Sequence, residues 1–167
     1  MNLQIVDEQG QTIGEMDKIA AHENGGVWHR AISVFLFNSA GQLLVQQRAQ
    51  RKYHFAGLWA NSCCSHPGIN ETVQQAAVRA VMVELGVTAE VKEVGVVRYE
   101  AHDAVSGNTE REHDHILVGQ FAGSCFPDPE EVGALGWVAL PELRAEIEQN
   151  PERFAPWLPI ILDSGLI

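Results

Sequence analysis

The sequence predicts an α+β fold in which helices flank a mixed β-sheet core. Three observations predict it. Short apolar, β-branched runs separated by turn residues fill the first part of the chain. One long segment, residues 71–85, repeats its apolar residues every three to four positions. Two further strand-like runs, residues 90–99 and 110–121, flank a turn at 104–108 and precede another strand and a Pro-led helix.

Residues 3–6 form the first short apolar strand, and Asp7-Glu8-Gln9-Gly10 is its turn. Residues 31–37 (AISVFLF) are apolar and β-branched or aromatic. Asn38-Ser39-Ala40-Gly41 breaks the run and Leu43-Leu44-Val45-Gln46 restarts it, which predicts a β-hairpin. Within residues 71–85, Val73, Ala76, Ala77, Ala80, Val81 and Leu85 fall on one helical face, and Gly86 supplies the stop. Residues 135–140 read as a strand. Pro141 then opens a short helix at its first turn, where a missing N–H costs nothing.

The chain has 167 residues, which predicts a single domain spanning residues 1–167. Lys+Arg is 11 against Asp+Glu 22, a formal net charge of −11. That balance argues against a nucleic-acid or anionic-membrane partner, though a local basic cluster still suffices for a small anion. No run of about 18 apolar residues is present. The start, MNLQIVDEQGQ, carries no signal-peptide pattern, and two of the three cysteines, Cys63 and Cys64, are adjacent. The expectation is a cytoplasmic protein without a disulfide framework, monomeric or a weak homodimer.

Five residues stand out by type and spacing. His22 and His29 flank the entry to the first long strand, and His66 ends Asn61-Ser62-Cys63-Cys64-Ser65-His66-Pro67. Glu110 and Glu112 lie at i, i+2 on a predicted strand, so both carboxylates share one face. His113 and His115 fall on the other face. Cys64 and His66 have the same i, i+2 relation if their segment is extended. Three imidazoles and two carboxylates suit a five- or six-coordinate Mn²⁺, Mg²⁺ or Zn²⁺ better than a thiolate site would. Against this, a lone histidine is ordinarily a surface or core residue, and Glu-x-Glu on a strand is ordinarily a solvated face. A structural zinc site on Cys63, Cys64 and His66 lacks the CxxC spacing. Arg48, Arg51 and Lys52 concentrate three of the eleven basic residues in five positions. They are either an anion site or a solubilising loop.

From Ser65 to Val87 the chain keeps the register of a Nudix box, G-x5-E-x7-R-E-U-x-E-E-x-G-U. Glu71, Arg79, Val81, Glu84, Gly86 and Val87 match, while Ser65, Ala80 and Val83 replace the opening glycine and two glutamates. Nudix hydrolases gather divalent ions on that helical carboxylate cluster. Here one carboxylate of three survives, at Glu84, so the fold signal persists and the hydrolytic signal is damaged.

Taken together, these pieces resemble the type I isopentenyl-diphosphate isomerases, a branch of the Nudix superfamily. The resemblance covers residues 18–157. Its carriers begin with Lys18-Ile19-Ala20-Ala21-His22, His29, and Gln47-Arg48-Ala49-Gln50-Arg51-Lys52. They continue with Gly57-Leu58-Trp59-Ala60 leading into the Asn61–Pro67 segment, then Glu84-Leu85-Gly86, Tyr99, Glu110-Arg111-Glu112 and Phe154-Ala155-Pro156-Trp157. Ala56 stands where the family usually has proline, and Ala80 where some members carry a basic residue.

The resemblance implies interconversion of isopentenyl and dimethylallyl diphosphate through a carbocation-like intermediate, in isoprenoid precursor synthesis. It implies a catalytic thiol at Cys64, whose pKa a cationic or metal neighbourhood can lower. It further implies a proton-transfer carboxylate and metal ligand at Glu112, a phenol at Tyr99 that hydrogen-bonds it, and an aromatic at Trp157 facing the cation. Lys18, Arg48 and Lys52 become diphosphate contacts, with a Mg²⁺ bridging to Glu84. His22, His29, His66, Glu110 and Glu112 become ligands of Mn²⁺, Mg²⁺ or Zn²⁺. The competing expectations are a Nudix pyrophosphohydrolase and a non-catalytic diphosphate- or metal-binding module.

Overall fold

The structure is a computed structural model that describes residues 1–167. In chain order its elements are β1 (Asn2–Val6), β2 (Thr12–Asp17), α1 (Lys18–His22), β3 (His29–Phe37), β4 (Gln42–Arg48), β5 (Trp59–Ala60) and β6 (Cys63–Ser65). Then come α2 (Val73–Leu85), β7 (Val91–His102), β8 (Thr109–Gln120), β9 (Val132–Ala139), α3 (Leu140–Gln149), a 3-10 turn (Pro151–Arg153) and α4 (Trp157–Asp163). This is the mixed sheet flanked by helices that the sequence predicts.

β3 is the hub of the sheet. It meets β1 at Ile5↔His29, pairs β6 antiparallel, and runs parallel to β8 from His29↔Glu112 to Phe37↔Gln120. Its alternating side chains feed two cores. Ile32, Val34 and Leu36 pack under α2 with Ala76, Ala77, Val81 and Leu85. Phe35 faces the other way, toward Trp157, Leu158, Ile161 and Leu162 of α4. His29 and Ser33 share the Phe35 parity, so the functional side chains of β3 lie on the α4 face.

The predicted hairpin of residues 31–37 and 43–46 forms only at its turn. β3 and β4 pair at Phe37↔Leu43 alone, and β4 continues with β5 and β9. The segment before β6 wedges between them and supplies the missing hydrogen bonds from side chains. Ser62 Oγ accepts from the Leu36 N–H (2.8 Å) and donates to the Leu44 carbonyl (2.6 Å). Asn61 Nδ2 donates to the carbonyls of Val34 (3.1 Å) and Cys63 (3.0 Å).

α2 starts at Val73 rather than at residue 71. Thr72 is its N-cap, in a reciprocal capping box with Gln75, and Gly86 closes it in the left-handed region at φ 66°. Glu71 stays outside the helix and takes the Arg79 guanidinium on both carboxylate oxygens, at 2.8 and 2.7 Å. The other strands run slightly beyond their predicted limits at one end or the other, because propensity alone does not locate a ladder's last bond. β2 and α1 have no apolar period of their own, and the sequence did not announce them. No helix is long and apolar enough to cross a membrane.

Candidate functional site

Four separate elements converge on the α4 face of the sheet. α1 ends at His22. Its N-cap Asp17 accepts the Ile19 N–H at 2.9 Å, which fixes this short turn against the sheet. β3 begins with His29, the chain leaving β6 carries His66, and β8 contributes Glu110 and Glu112. One potential ligand atom from each of these five buried residues lies within 4.8 Å of all the others. His113 and His115 are on the opposite face, where His115 meets Arg30 and Glu93.

Backbone carbonyls fix two of the imidazole tautomers. His22 Nδ1–H donates to the Lys18 carbonyl (2.6 Å), and His29 Nδ1–H to the Val27 carbonyl (2.7 Å). Each neutral ring therefore turns an Nε2 lone pair inward. His22 Nε2 faces Glu110 Oε2 at 2.9 Å; His29 Nε2 lies 3.6 Å from Glu112 Oε1 and 3.9 Å from Glu110 Oε2. His66 Nε2 is 3.0 Å from Glu112 Oε1. Lone pairs confronting carboxylate oxygens in a buried site call for a proton or a cation between them, and the donor set fits a divalent ion.

Protonation follows the same logic. Burial pushes His66 down to about 3. Burial opposes ionisation of Glu110, yet hydrogen bonds with His22 and His54 outweigh it and hold the carboxyl well below its usual range. Glu112 is lowered too, since the His29 and His66 contacts overcome burial and the Glu110 charge. At His22, burial is outweighed by the Glu110 hydrogen bond and charge, and the ring sits above its ordinary value. The ionised carboxylates and the neutral His66 are in the state metal ligation requires, and a metal would displace any proton that His22 holds.

Beside the cluster a narrow cavity is lined by Lys18, Arg48, Lys52, Cys64, Tyr99 and Trp157, together with His54, His66, Glu110 and Glu112. Tyr99 O–H donates to Glu112 Oε2. Trp157 Nε1–H donates to Asn61 Oδ1 (3.1 Å), which also accepts the Cys64 thiol (3.2 Å). Cys63 points away into the core beneath α2. The thiol of Cys64 is not lowered as a cationic setting would make it: burial first, then the Asp114 carboxyl, push it up to about 12.

Of the three cavity cations, Lys52 is ion-paired with Glu131, and Arg48 donates to the carbonyls of His54 (3.0 Å) and Phe55 (3.1 Å). Arg51 lies outside the cavity in an exposed pair with Glu130. Burial and the nearby Lys52 charge depress Lys18. Glu84 is buried on α2, accepts from Gln46 Nε2 at 2.8 Å, and is not part of the cavity wall. Burial raises its pKa.

Sequence reasoning missed three participants. Asp114 continues the Glu110, Glu112 register on β8, is fully buried, and accepts from Ser33 Oγ–H at 2.7 Å. Its place at i+2 was a usable signal. Ser33 Oγ in turn lies 3.6 Å from Cys64 Sγ. His54 binds Glu110 Oε1, and no periodicity marks it.

Residues 27–158 match the NUDIX domain. An isopentenyl-diphosphate Delta-isomerase of Nocardia farcinica is 45% identical over 98% of this chain and 93% of its own length. One from Halorhodospira halophila is 44% identical over 92% and 88%. Among solved structures, the Deinococcus radiodurans protein DR0079 superposes with a TM-score of 0.74 at 20% identity, covering 89% of this chain and 90% of that one. A MutT NUDIX hydrolase from Burkholderia pseudomallei gives 0.63 at 23%, covering 81% and 96%. A damaged hydrolase helix, an intact Trp59–Pro67 segment and this near-complete likeness agree: the chain belongs to the isopentenyl-diphosphate Delta-isomerase family within the Nudix superfamily.

Proposed function

We infer that this chain interconverts isopentenyl diphosphate and dimethylallyl diphosphate. The observation that carries the reading is one cavity that holds a thiol, a carboxylate with its phenol, an indole and three cations. Moving the double bond requires a proton to be added at one carbon and removed at another. Cys64 and Glu112 are the two groups assigned to those transfers. Whichever gives the proton in one direction receives it in the other. Tyr99 donates to Glu112 Oε2, the oxygen turned away from the histidines, and so orients the carboxylate. Trp157 offers a π-face to the developing positive charge. Lys18, Arg48 and Lys52 are assigned to the diphosphate, which would draw Lys52 away from Glu131.

His22, His29, His66, Glu110 and Glu112 would hold Mn²⁺, Mg²⁺ or Zn²⁺, and Glu84, which Gln46 holds outside the cavity wall, would meet a diphosphate-bound Mg²⁺ only once released from that hydrogen bond. A divalent ion bound among the five supplies fixed positive charge that stabilises their ionised carboxylates. A cytoplasmic domain spanning residues 1–167, working as a monomer or weak homodimer on a small diphosphate, suits the acidic composition and the three free cysteines.

Incubation with isopentenyl diphosphate and Mg²⁺ in D₂O tests the reading. Dimethylallyl diphosphate carrying deuterium is the expected product. Phosphate release without isomer would favour a pyrophosphohydrolase instead, and binding without turnover a non-catalytic module. α2 offers little to the hydrolase, because Ala80 and Val83 stand at two of its carboxylate positions.

A further inference from the structure

The two carboxylates of the cluster are held in the same manner, and only one of the holders is accounted for. Glu112 turns Oε1 toward His66 and His29, and its Oε2 is taken by the Tyr99 hydroxyl. Glu110 turns Oε2 toward His22 and His29, and its Oε1 is taken by His54 Nε2. We propose that His54 is a positioning residue for the metal centre, the counterpart at Glu110 of Tyr99 at Glu112, and that it keeps Oε2 of Glu110 as the oxygen turned toward the cluster. The proposal rests on reading the five-residue cluster as a metal site.

The chain goes to some length to put His54 there. The next residue, Phe55, lies in the left-handed region at φ 48°, unusual for a bulky side chain. Such a conformation persists only where its surroundings over-determine it. Here three hydrogen bonds do so. Asp103 Oδ2 accepts the Phe55 N–H at 2.9 Å, and the Arg48 guanidinium donates to the carbonyls of His54 and Phe55. Asp103 is itself locked in the β7–β8 turn by the Ser106 hydroxyl and the Val105 N–H. The left-handed turn is thus tied to two separate elements, and it aims a buried imidazole at the outer oxygen of Glu110.

The tautomer agrees. His54 is 6% exposed and its Nδ1 has no hydrogen-bond partner. A carboxylate oxygen only accepts, so the ring hydrogen belongs on Nε2, and Nδ1 keeps a lone pair among apolar and aromatic neighbours. The His54 ligand atom lies outside the group of five that share mutual 4.8 Å distances, which makes it a holder of a ligand rather than a sixth ligand. With Oε1 occupied, Glu110 presents one oxygen inward. Partners of this kind change metal affinity by about 10- to 100-fold when removed.

The test is Zn²⁺ affinity, measured by competition with a chromogenic chelator, on native protein and on His54→Leu and His54→Gln. Leu fills the space without a donor; Gln restores an N–H near the Nε2 position. His54→Leu should weaken Zn²⁺ by about 10- to 100-fold, and His54→Gln should recover most of the loss. At saturating metal, the KM for isopentenyl diphosphate should match that of the native chain. Unchanged Zn²⁺ affinity in folded His54→Leu overturns the proposal, as does a Gln variant that binds no better than Leu. A raised KM at saturating metal with native Zn²⁺ affinity overturns it too, and makes His54 a substrate contact. Should His54→Leu not fold, His54→Asn decides in its place, since its shorter amide stops short of Glu110 and native affinity there refutes the role. Native protein that takes up neither Zn²⁺ nor Mn²⁺ would instead sink the metal-site reading itself.

Discussion

Replacing Asn61 by Ala should damage the fold and the site together, because one carboxamide ties four groups. Asn61 is fully buried. Its Nδ2 donates to the Val34 and Cys63 carbonyls at 3.1 and 3.0 Å, bridging the gap where β3 and β4 diverge. Its Oδ1 accepts the Cys64 thiol at 3.2 Å and the Trp157 indole at 3.1 Å. At about 1 kcal/mol net per bond, the loss is about 4 kcal/mol. That is a large share of a total stability of about 5–15 kcal/mol. For a chain of this size it lowers Tm by about 8–16 °C. Thiol and indole lose their common anchor, and a displacement of about 1 Å at reacting groups lowers kcat by about 100-fold. Scanning calorimetry and an isomerisation assay on the same preparation read both effects. Asn61→Asp separates them. It keeps an oxygen for the thiol and indole but replaces both N–H donors, so stability should fall while kcat falls less. If Asn61→Ala melts within about 2 °C of the native chain and turns over normally, the carboxamide is not the tie, and the account of how this site is held is wrong.

Three further outcomes follow from the geometry. Cys64→Ala should abolish isomerisation with Zn²⁺ affinity intact, whereas Cys63→Ala should lower Tm by a few degrees and keep kcat; equal loss of activity in two folded variants would contradict the assignment. Trp157→Leu should lose about 30-fold or more in kcat, the equivalent of a desolvated cation–π contact of about 2 kcal/mol, while Trp157→Phe loses less. A cationic ammonium diphosphate should then lose more affinity than a neutral analogue on going from the native chain to the Leu variant, and parallel losses would reduce Trp157 to a wall of the pocket. Glu71 titrates low in the folded chain because of its Arg79 hydrogen bonds, with the Gly68 N–H helping against partial burial. A lowered carboxyl stabilises the fold above its unfolded pKa, and that contribution disappears as pH falls through the folded value. The Tm gap between native chain and Glu71→Gln should therefore be constant above pH ~5.5 and shrink below pH ~4.5; a gap independent of pH from ~6 to ~3 would show that the pair contributes no charge effect.

What was legible in the sequence is what repeats or pairs at short range. The α2 face could be read from spacing, its stop from Gly86, and the shared face of Glu110 and Glu112 from strand parity. The hairpin misled because its turn is real while its ladder is not. Ser62 and Asn61 satisfy the β3 and β4 backbones from the side, and side-chain substitution for a ladder leaves no periodic trace. His54 was invisible for a related reason. It is placed by a left-handed residue and by Arg48 and Asp103, so its role depends on contacts 6 and 48 residues apart rather than on a pattern. Arg48 shows the limit from the other side: a cluster of basic residues reads as an anion site, yet this guanidinium also fastens the turn that carries His54.

The position of the carboxylates bears on the chemistry. In the hydrolase pattern the acidic cluster sits on the helix corresponding to α2. Here Ala80 is buried against the sheet, Val83 is 52% exposed, and the surviving Glu84 is pinned by Gln46 outside the cavity wall. The acidic side chains that face the cavity come instead from β8, where every second residue points to the α4 side. A strand lets a carboxylate be gripped from both sides, by the histidines on one oxygen and by Tyr99 or His54 on the other. A helix-surface glutamate lacks that second grip and remains open to water. Proton transfer to and from carbon gains from the gripped arrangement, because a fixed oxygen beside an apolar wall transfers its proton to a chosen atom rather than to solvent. Trp157 and Tyr99 form that wall, with the indole stacked on the phenol at 6.4 Å and backed edge-on by Phe55 at 5.4 Å. Relocating the carboxylates from helix to strand thus favours moving a proton beside an aromatic wall over activating a water molecule, on a fold that otherwise resembles the hydrolases.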